Sequence, residues 1–250
     1  MPSATPVRPV GALRSPEMAV AVRHQKARKT RKRMRPARPG HRLLRHDRDL
    51  GVHFVAGTDE AGRGALAGPL VAAAVLFDYR RLQGRVCAPL AQLDDSKTRT
   101  LEQREELYEA VLRCATRVSV IVAPALEVDR RGVHRANLSA LARALDGLDA
   151  PSEALLLSDG FRVPLARTHR AIIGGDGTSA AIAAASIIAK VTRDRLMRRL
   201  HSDYPAYGFD GHVGYSTPKH RQALVSHGPC PLHRRSFASV GALQLSLLAG

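Results

Sequence analysis

The chain has 250 residues, 44% of them hydrophobic, enough for one substantial core with a tail and too apolar for wholesale disorder. Its 39 Lys+Arg against 22 Asp+Glu give a formal +17; residues 1–50 carry 14 of those bases and 3 of those acids, so +11 of the charge lies there. Such a balance points to a polyanionic partner, nucleic acid above all, with a merely solubilising basic surface as the plainer alternative.

Cysteine usage and apolar runs exclude more. Cys87, Cys114 and Cys230 are odd in number, widely spaced and outside any CxxC pattern, which argues against structural zinc or a disulfide framework and for a reducing compartment. The longest apolar stretch, Ala65 to Phe77, is too short for a bilayer and contains Gly68 and Pro69, so no membrane partner is expected. The N-terminus lacks the apolar core of a signal peptide, and a cytoplasmic location is expected.

In chain order, residues 1–41 are rich in Pro, Arg, Ala and Lys and hold too little apolar area to offset ordering entropy. They are expected to form a disordered basic extension, equally compatible with a transit peptide, a duplex-binding arm or a misassigned start. His53 to Thr58 reads as a strand ending at Asp59-Glu60, and Leu70 to Phe77 as a buried strand. Leu101, Leu107, Val111 and Leu112 form the apolar stripe of a helix over Thr100–Arg113. Val118 to Val122 is a strand, Asn137 to Leu148 a helix, Ala154 to Leu157 a short strand, and Arg170 to Ile173 another. After the loop Gly174–Gly177, Thr178 or Ser179 caps a long helix reaching about His201. Strands followed by alternating helix and strand predict a mixed α/β domain.

The acids carry the chemistry. Asp59-Glu60 and Asp159 each stand where an apolar strand meets glycine, and strands of one sheet that deliver carboxylates at an end build metal sites. Clustered carboxylate oxygens suit hard divalent cations, whose charge relieves the repulsion between the acids. Taken singly, each acid reads as a cap or a surface turn. Asp194 follows Ile187 and Val191 on the inward side of the long helix, where a carboxylate needs a partner; a salt bridge from Lys190 and a bound metal serve equally.

These residues resemble ribonuclease HII. The resemblance runs through Asp59-Glu-Ala-Gly-Arg-Gly64, Ala67-Gly-Pro-Leu70, Asp95-Ser-Lys97, Asp159-Gly160 and Ala184 to Asp194. It continues through Tyr207 to His212, Gly214-Tyr-Ser-Thr217 and His233-Arg-Arg-Ser-Phe237, in the family's order. It implies a ribonuclease H-like fold, a five-stranded mixed sheet flanked by helices. The implied division is a catalytic domain over residues 42–240, with 1–41 as extension and 241–250 as tail. It also implies a catalytic, metal-binding set of Asp59, Glu60, Asp159 and Asp194 holding two Mn²⁺ or Mg²⁺ ions. The Gly62-Arg63-Gly64 backbone would meet the ribose 2′-hydroxyl, the mark that separates RNA from DNA. Tyr215 would stack on the following sugar, and Ser96 and Lys97 would touch phosphate.

The implied reaction, on a monomer, is hydrolysis of the RNA-containing strand of an RNA/DNA hybrid, or of duplex DNA 5′ of an embedded ribonucleotide. The products would carry 3′-hydroxyl and 5′-phosphate ends. The sister ribonuclease HIII group carries a folded N-terminal domain, for which the residues before Leu43 are too few and too polar. His212, His220 and His233 lack zinc-ligand spacing and read as loop or phosphate-proximal residues. Gly174 and Val213 stand where the family commonly has lysine, which removes charge near the duplex track. Gln244-Leu245-Ser246-Leu247-Leu248 resembles the short peptide by which bacterial proteins dock on the sliding clamp; a terminal segment packed on the domain is the alternative.

Overall fold

The computed structural model describes residues 42–82, 88–95, 100–165 and 167–242. The basic extension, Cys87, Ser96, Lys97 and the segment Gln244–Leu248 lie outside the described residues. The strands are β1 (Phe54–Ala61), β2 (Leu70–Asp78), β3 (Arg117–Ala123), β4 (Leu155–Asp159) and β5 (His169–Ile172). The helices are α1 (Arg42–Asp49), α2 (Leu101–Cys114), α3 (Ala125–Arg131), α4 (Val133–Asp146), α5 (Ala180–Asp203), α6 (Phe209–His212) and α7 (Pro218–His227). Thr100 closes a capping box with Gln103 at the start of α2, the Thr-x-x-Gln pattern that stops a chain from continuing extended.

The strands form one mixed sheet in the order β3-β2-β1-β4-β5. β2 runs antiparallel to β1 and β3, while β1–β4 and β4–β5 are parallel. This is the five-stranded mixed sheet flanked by helices that the resemblance implies. Every residue of β2 is buried, because helices cover both faces. On one face Val55, Val71, Val75 and Phe77 pack with Leu107, Val111, Ile182 and Ile188 of α2 and α5. On the other, Ala56, Ala72 and Leu76 pack with Ala136, Ala140 and Leu141 of α4. Each such large side chain contributes roughly 1.5–3 kcal/mol of burial.

The long helix α5 lies against β1 at a contact only glycine permits: a Cβ on Gly57 would collide with the Ala181 backbone. Residues Ala180 to Ala185 are accordingly all buried. Of the two expected caps, Ser179 serves, its Oγ accepting from Ile182 N at 3.4 Å. A second cap comes from far away. Asp47 of α1, fully buried, accepts from Ala181 N at 2.9 Å and from the Tyr79 hydroxyl at 2.7 Å. A helix N-terminus favours this negative charge.

Three expectations need correction. β1 continues through Asp59 and Glu60 to Ala61, because antiparallel pairing with β2 persists to Ala61–Val71. The short helices α1, α3, α6 and α7 hold four to ten residues each, too few for a stripe to stand out in the sequence. Cys114 is disulfide-bonded, whereas Cys230 is a buried free thiol. An odd count argues against a framework of bridges but does not prevent a single one.

Candidate active site

β1, β4 and α5 converge on a cleft of about 420 Å³. Asp59 and Glu60 from β1, Asp159 from the end of β4, and Ser186 and Lys190 from α5 line it, together with Gly62, Arg63, Gly64, Asp176 and Tyr215. Because Asp59 and Glu60 are consecutive within a strand, their side chains leave on opposite faces. Asp59 shares the α5 face and meets Ser186, while Glu60 faces Asn137 of α4. The cleft lies across the sheet end and takes both.

Asp59 is 7% exposed. Its carboxyl is pushed up to about 8, first by burial and then by the Glu60 charge, with Asp159 adding to the rise. The Ser186 hydroxyl and the Glu60 N–H, 2.7 Å from Oδ1, pull the other way. Burial also raises Glu60, helped by Asp159 and opposed by Asn137 and by Arg63, whose Nη1 is 3.9 Å away. Asn137 is fully buried, and its amide faces Glu60 without reaching full hydrogen-bond geometry there or with any other group among the described residues. Asp159 Oδ1 accepts from Gly175 N at 2.6 Å.

Asp194 is placed differently. It does not line the cleft; it is 3% exposed, one turn beyond Lys190, whose Nζ donates to its Oδ1 at 2.9 Å. Of the two partners open in the sequence, the structure shows the lysine. Among the described residues no three acid, histidine or cysteine side chains form a ready-made metal cage. Three of the four expected acids share the cleft, and the fourth reaches it through Lys190.

Two buried arginines shape the loop after β1. Arg193 donates to Pro69 O and Val213 O at 2.9 Å and to Ala67 O at 3.1 Å. Arg234 donates to Arg63 O at 2.9 Å and twice to Gly68 O, at 3.0 and 3.2 Å. Burial lowers both, Arg234 to about 10 with Arg193 as the second cause. Gly62 has φ +86°, and a Cβ there would collide with the Arg193 side chain, so only glycine lets this loop rest on the guanidinium. Arg63 lies over the Phe161 ring at 4.8 Å. Tyr215 lies over both Arg193, at 5.1 Å, and Lys190, at 5.6 Å. Val213, at one of the two positions where lysine was expected, adopts φ +44°, unusual for a β-branched side chain, with its carbonyl held by Arg193.

Sequence reasoning missed Asp176, Asn137, Arg193 and Arg234. Asp176 was legible as an acid between glycines in the loop after β5; the other three are side chains on helices and loops whose neighbours are distant in sequence. His220 and His233 are a further correction. They are 0% and 2% exposed and packed against Tyr207 and Phe209, so they are interior residues and not phosphate-proximal ones.

A family model described as ribonuclease HII matches residues 56–240. A ribonuclease HII from Rhodococcus erythropolis (strain PR4 / NBRC 100887) is 51% identical over 198 residues, covering 79% of this chain and 85% of that protein. The crystal structure of ribonuclease H2 from Pyrococcus horikoshii OT3 superposes with a TM-score of 0.67 at 26% identity, covering 79% of this chain and all of the other. A chain of the PCNA:RNase HII complex from Archaeoglobus fulgidus superposes with a TM-score of 0.59 at 28% identity, covering 72% of this chain and 93% of its own. The match to the family model takes in β1 from Ala56 onward, the other four strands whole and every residue of the cleft, and the chain belongs to the ribonuclease HII family.

Proposed function

We propose that this member of the ribonuclease HII family cuts duplex DNA 5′ of embedded ribonucleotides, as well as the RNA strand of RNA/DNA hybrids, and so serves ribonucleotide removal in replication and repair. One observation carries the reading. Asp59, Glu60 and Asp159 open on the same cleft as the Gly62-Arg63-Gly64 loop and Tyr215, so acids that would hold metal ions at a phosphodiester stand beside groups that can inspect its sugar.

The donor set fits hard divalent cations. It is all oxygen, and burial, with the like charges adding to it, raises the pKa values of Asp59 and Glu60, a penalty on the charged carboxylates that a cation relieves. Asp59, Glu60 and Asp159 would hold Mg²⁺ or Mn²⁺, two ions in all, with Asp194 joining them in place of Lys190. Bound there, the metals supply a polarised water and stabilisation of the departing 3′-oxygen. The chain's own part is positioning. Ser186 and the Glu60 N–H hold Asp59, the Gly175 N–H orients Asp159, and Asn137 faces Glu60. The buried guanidiniums keep the Gly62–Gly64 backbone open toward the 2′-hydroxyl, and the Tyr215 ring is presented to the next sugar. Ser96 and Lys97 complete the proposal as phosphate contacts.

The test is cleavage of a DNA duplex carrying one ribonucleotide, in EDTA, Mg²⁺ and Mn²⁺. Cleavage 5′ of the ribonucleotide with metal, none in EDTA, and none by Asp59→Asn with duplex binding retained is the expected pattern. Near-normal turnover by Asp59→Asn overturns the site assignment. The proposal extends to a monomer working in the cytoplasm on chromosomal DNA and docking through Gln244–Leu248 on a sliding clamp. The Archaeoglobus complex is a precedent for clamp binding by that protein. Deleting residues 244–250 should abolish clamp pull-down; binding that survives refutes this docking segment.

A further inference from the structure

Behind Tyr215 lies a chain of buried histidines whose hydrogen bonds run in one direction. Cys230 N, which can only donate, is 3.0 Å from His233 Nδ1, so that nitrogen carries no proton. The proton of neutral His233 is therefore on Nε2, which donates to His220 Nε2 at 3.0 Å. That leaves His220 with its proton on Nδ1, 2.9 Å from the Tyr215 carbonyl, which can only accept. His212 repeats the logic beside them: Gly214 N donates to its Nδ1 at 3.2 Å, its Nε2 donates to Tyr207 O at 2.7 Å, and its ring stacks on His220 at 4.3 Å.

We propose that His220 and His233 are positioning residues for substrate discrimination: as a neutral pair they fix the Tyr215 backbone so that its ring meets the sugar following the ribonucleotide. This rests on the role proposed above for Tyr215. The relay complements what holds the ring, since Arg193 and Lys190 lie under it while His220 and Thr217 N, the latter at 2.9 Å, hold its carbonyl.

The relay tolerates no extra proton. A second one on His233 points at the Cys230 N–H, and one on His220 points at the His233 N–H, donor against donor in each case. The surroundings oppose protonation too. Burial, then the neighbouring histidine, hold His233 down to about 4, and burial lowers His220. The groups facing the pair are Tyr207, whose hydroxyl donates to Gly228 O, the Phe209 ring, the Cys230 thiol raised by burial, and His212. His227 packs on Tyr207, Arg221 is turned to Ser216, and Arg234 to the Gly68 loop. Among the described residues no carboxylate meets the pair to favour a charged imidazole.

The experiment is a ratio: kcat/KM on a duplex whose ribonucleotide is followed by DNA, divided by that on one whose ribonucleotide is followed by RNA. His220→Phe keeps a ring and loses the donor; His220→Asn keeps a donor near the Nδ1 position. The ratio should fall roughly three- to tenfold in His220→Phe, the worth of one hydrogen bond, and recover in His220→Asn. A partly unfolded preparation lowers both rates alike and leaves the ratio untouched. Because His233 is held down to about 4, the wild-type ratio should decline only as pH falls toward that value, with a flatter profile in His220→Phe. Tyr215→Ala is measured alongside. If it loses discrimination while His220→Phe keeps it, the relay is refuted and the Tyr215 reading stands. If Tyr215→Ala itself discriminates normally, the Tyr215 reading fails and the inference with it.

Discussion

Lys190 and Asp194 stand one turn apart on α5, and the 2.9 Å contact between Nζ and Oδ1 makes the lysine the counter-ion of an acid that is 3% exposed. Losing one partner of a fully buried pair costs about 3–5 kcal/mol. Here the lysine is a third exposed, and solvent screening reduces the cost to about 1–3 kcal/mol. Lys190→Met should be destabilised by that amount in EDTA and regain more stability from Mg²⁺ or Mn²⁺ than the wild type does. Urea unfolding with and without metal measures both. A variant that gains no more from metal than the parent contradicts placing Asp194 among the ligands.

Asp59 predicts a pH dependence of metal-free stability. Its carboxyl is pushed up to about 8 from an ordinary 3.8, so between those values the folded chain holds a proton that the unfolded chain has released. Linkage then makes stability fall as pH rises through this window, with the full penalty present above it. Asp59→Asn removes the titration. Its advantage in melting temperature, measured in EDTA at pH 5, 6.5 and 8, should widen steadily and shrink when Mg²⁺ is added. Parallel curves for the two proteins count against the raised carboxyl.

Gly62 and Gly64 are two residues apart and should respond differently to alanine. At Gly62, φ is +86° and a Cβ meets Arg193; at Gly64 nothing lies within 4 Å. Gly62→Ala should lose about 2–4 kcal/mol of stability together with activity, through strain and displacement of a buried guanidinium. Gly64→Ala should stay within about 0.5 kcal/mol of the wild type, yet cleave ribonucleotide junctions poorly because its methyl group occupies the approach to the sugar. Denaturation and cleavage assays on the pair separate folding from recognition. Normal cleavage by Gly64→Ala removes that glycine from the contact.

Asp47 gives a prediction about the fold alone. It joins α1, Tyr79 and the N-terminus of α5 in one buried network. Asp47→Ala strands the Ala181 N–H and the Tyr79 hydroxyl and should cost about 2–4 kcal/mol, the sum of a lost cap and an unsatisfied donor. Asp47→Asn, which still accepts, should cost about half of that. Chemical denaturation decides, and equal stability of all three proteins would falsify the capping role.

The readability of each feature follows from the range of the interaction behind it. The α2 stripe at Leu107 and Val111, the unbroken run of β2 and the Ser179 cap of α5 depend on neighbours within a few residues and lie where the sequence places them, whereas Leu101, expected in the stripe, is exposed at the start of the helix. The end of β1 was misjudged because Asp59 and Glu60 are poor strand formers by themselves; β2, across the sheet, keeps them extended. His220 and His233 read as loop or phosphate-proximal residues because a histidine's polarity is visible in the sequence and its burial is not.

The sequence by itself determined the α/β class, the identity of the acids and, through their order along the chain, the family. Those rest on local periodicity and on chemistry that residue types carry wherever they stand. Only the tertiary structure decided that Asp59 and Glu60 reach one cleft from opposite faces of the sheet and that Asp194 is held by Lys190. The same is true of the two guanidiniums beneath the glycine loop and of the histidines that brace Tyr215. Each depends on groups brought within about 3–5 Å by packing, where burial sets protonation and the choice of partner, and no spacing along the chain encodes that distance.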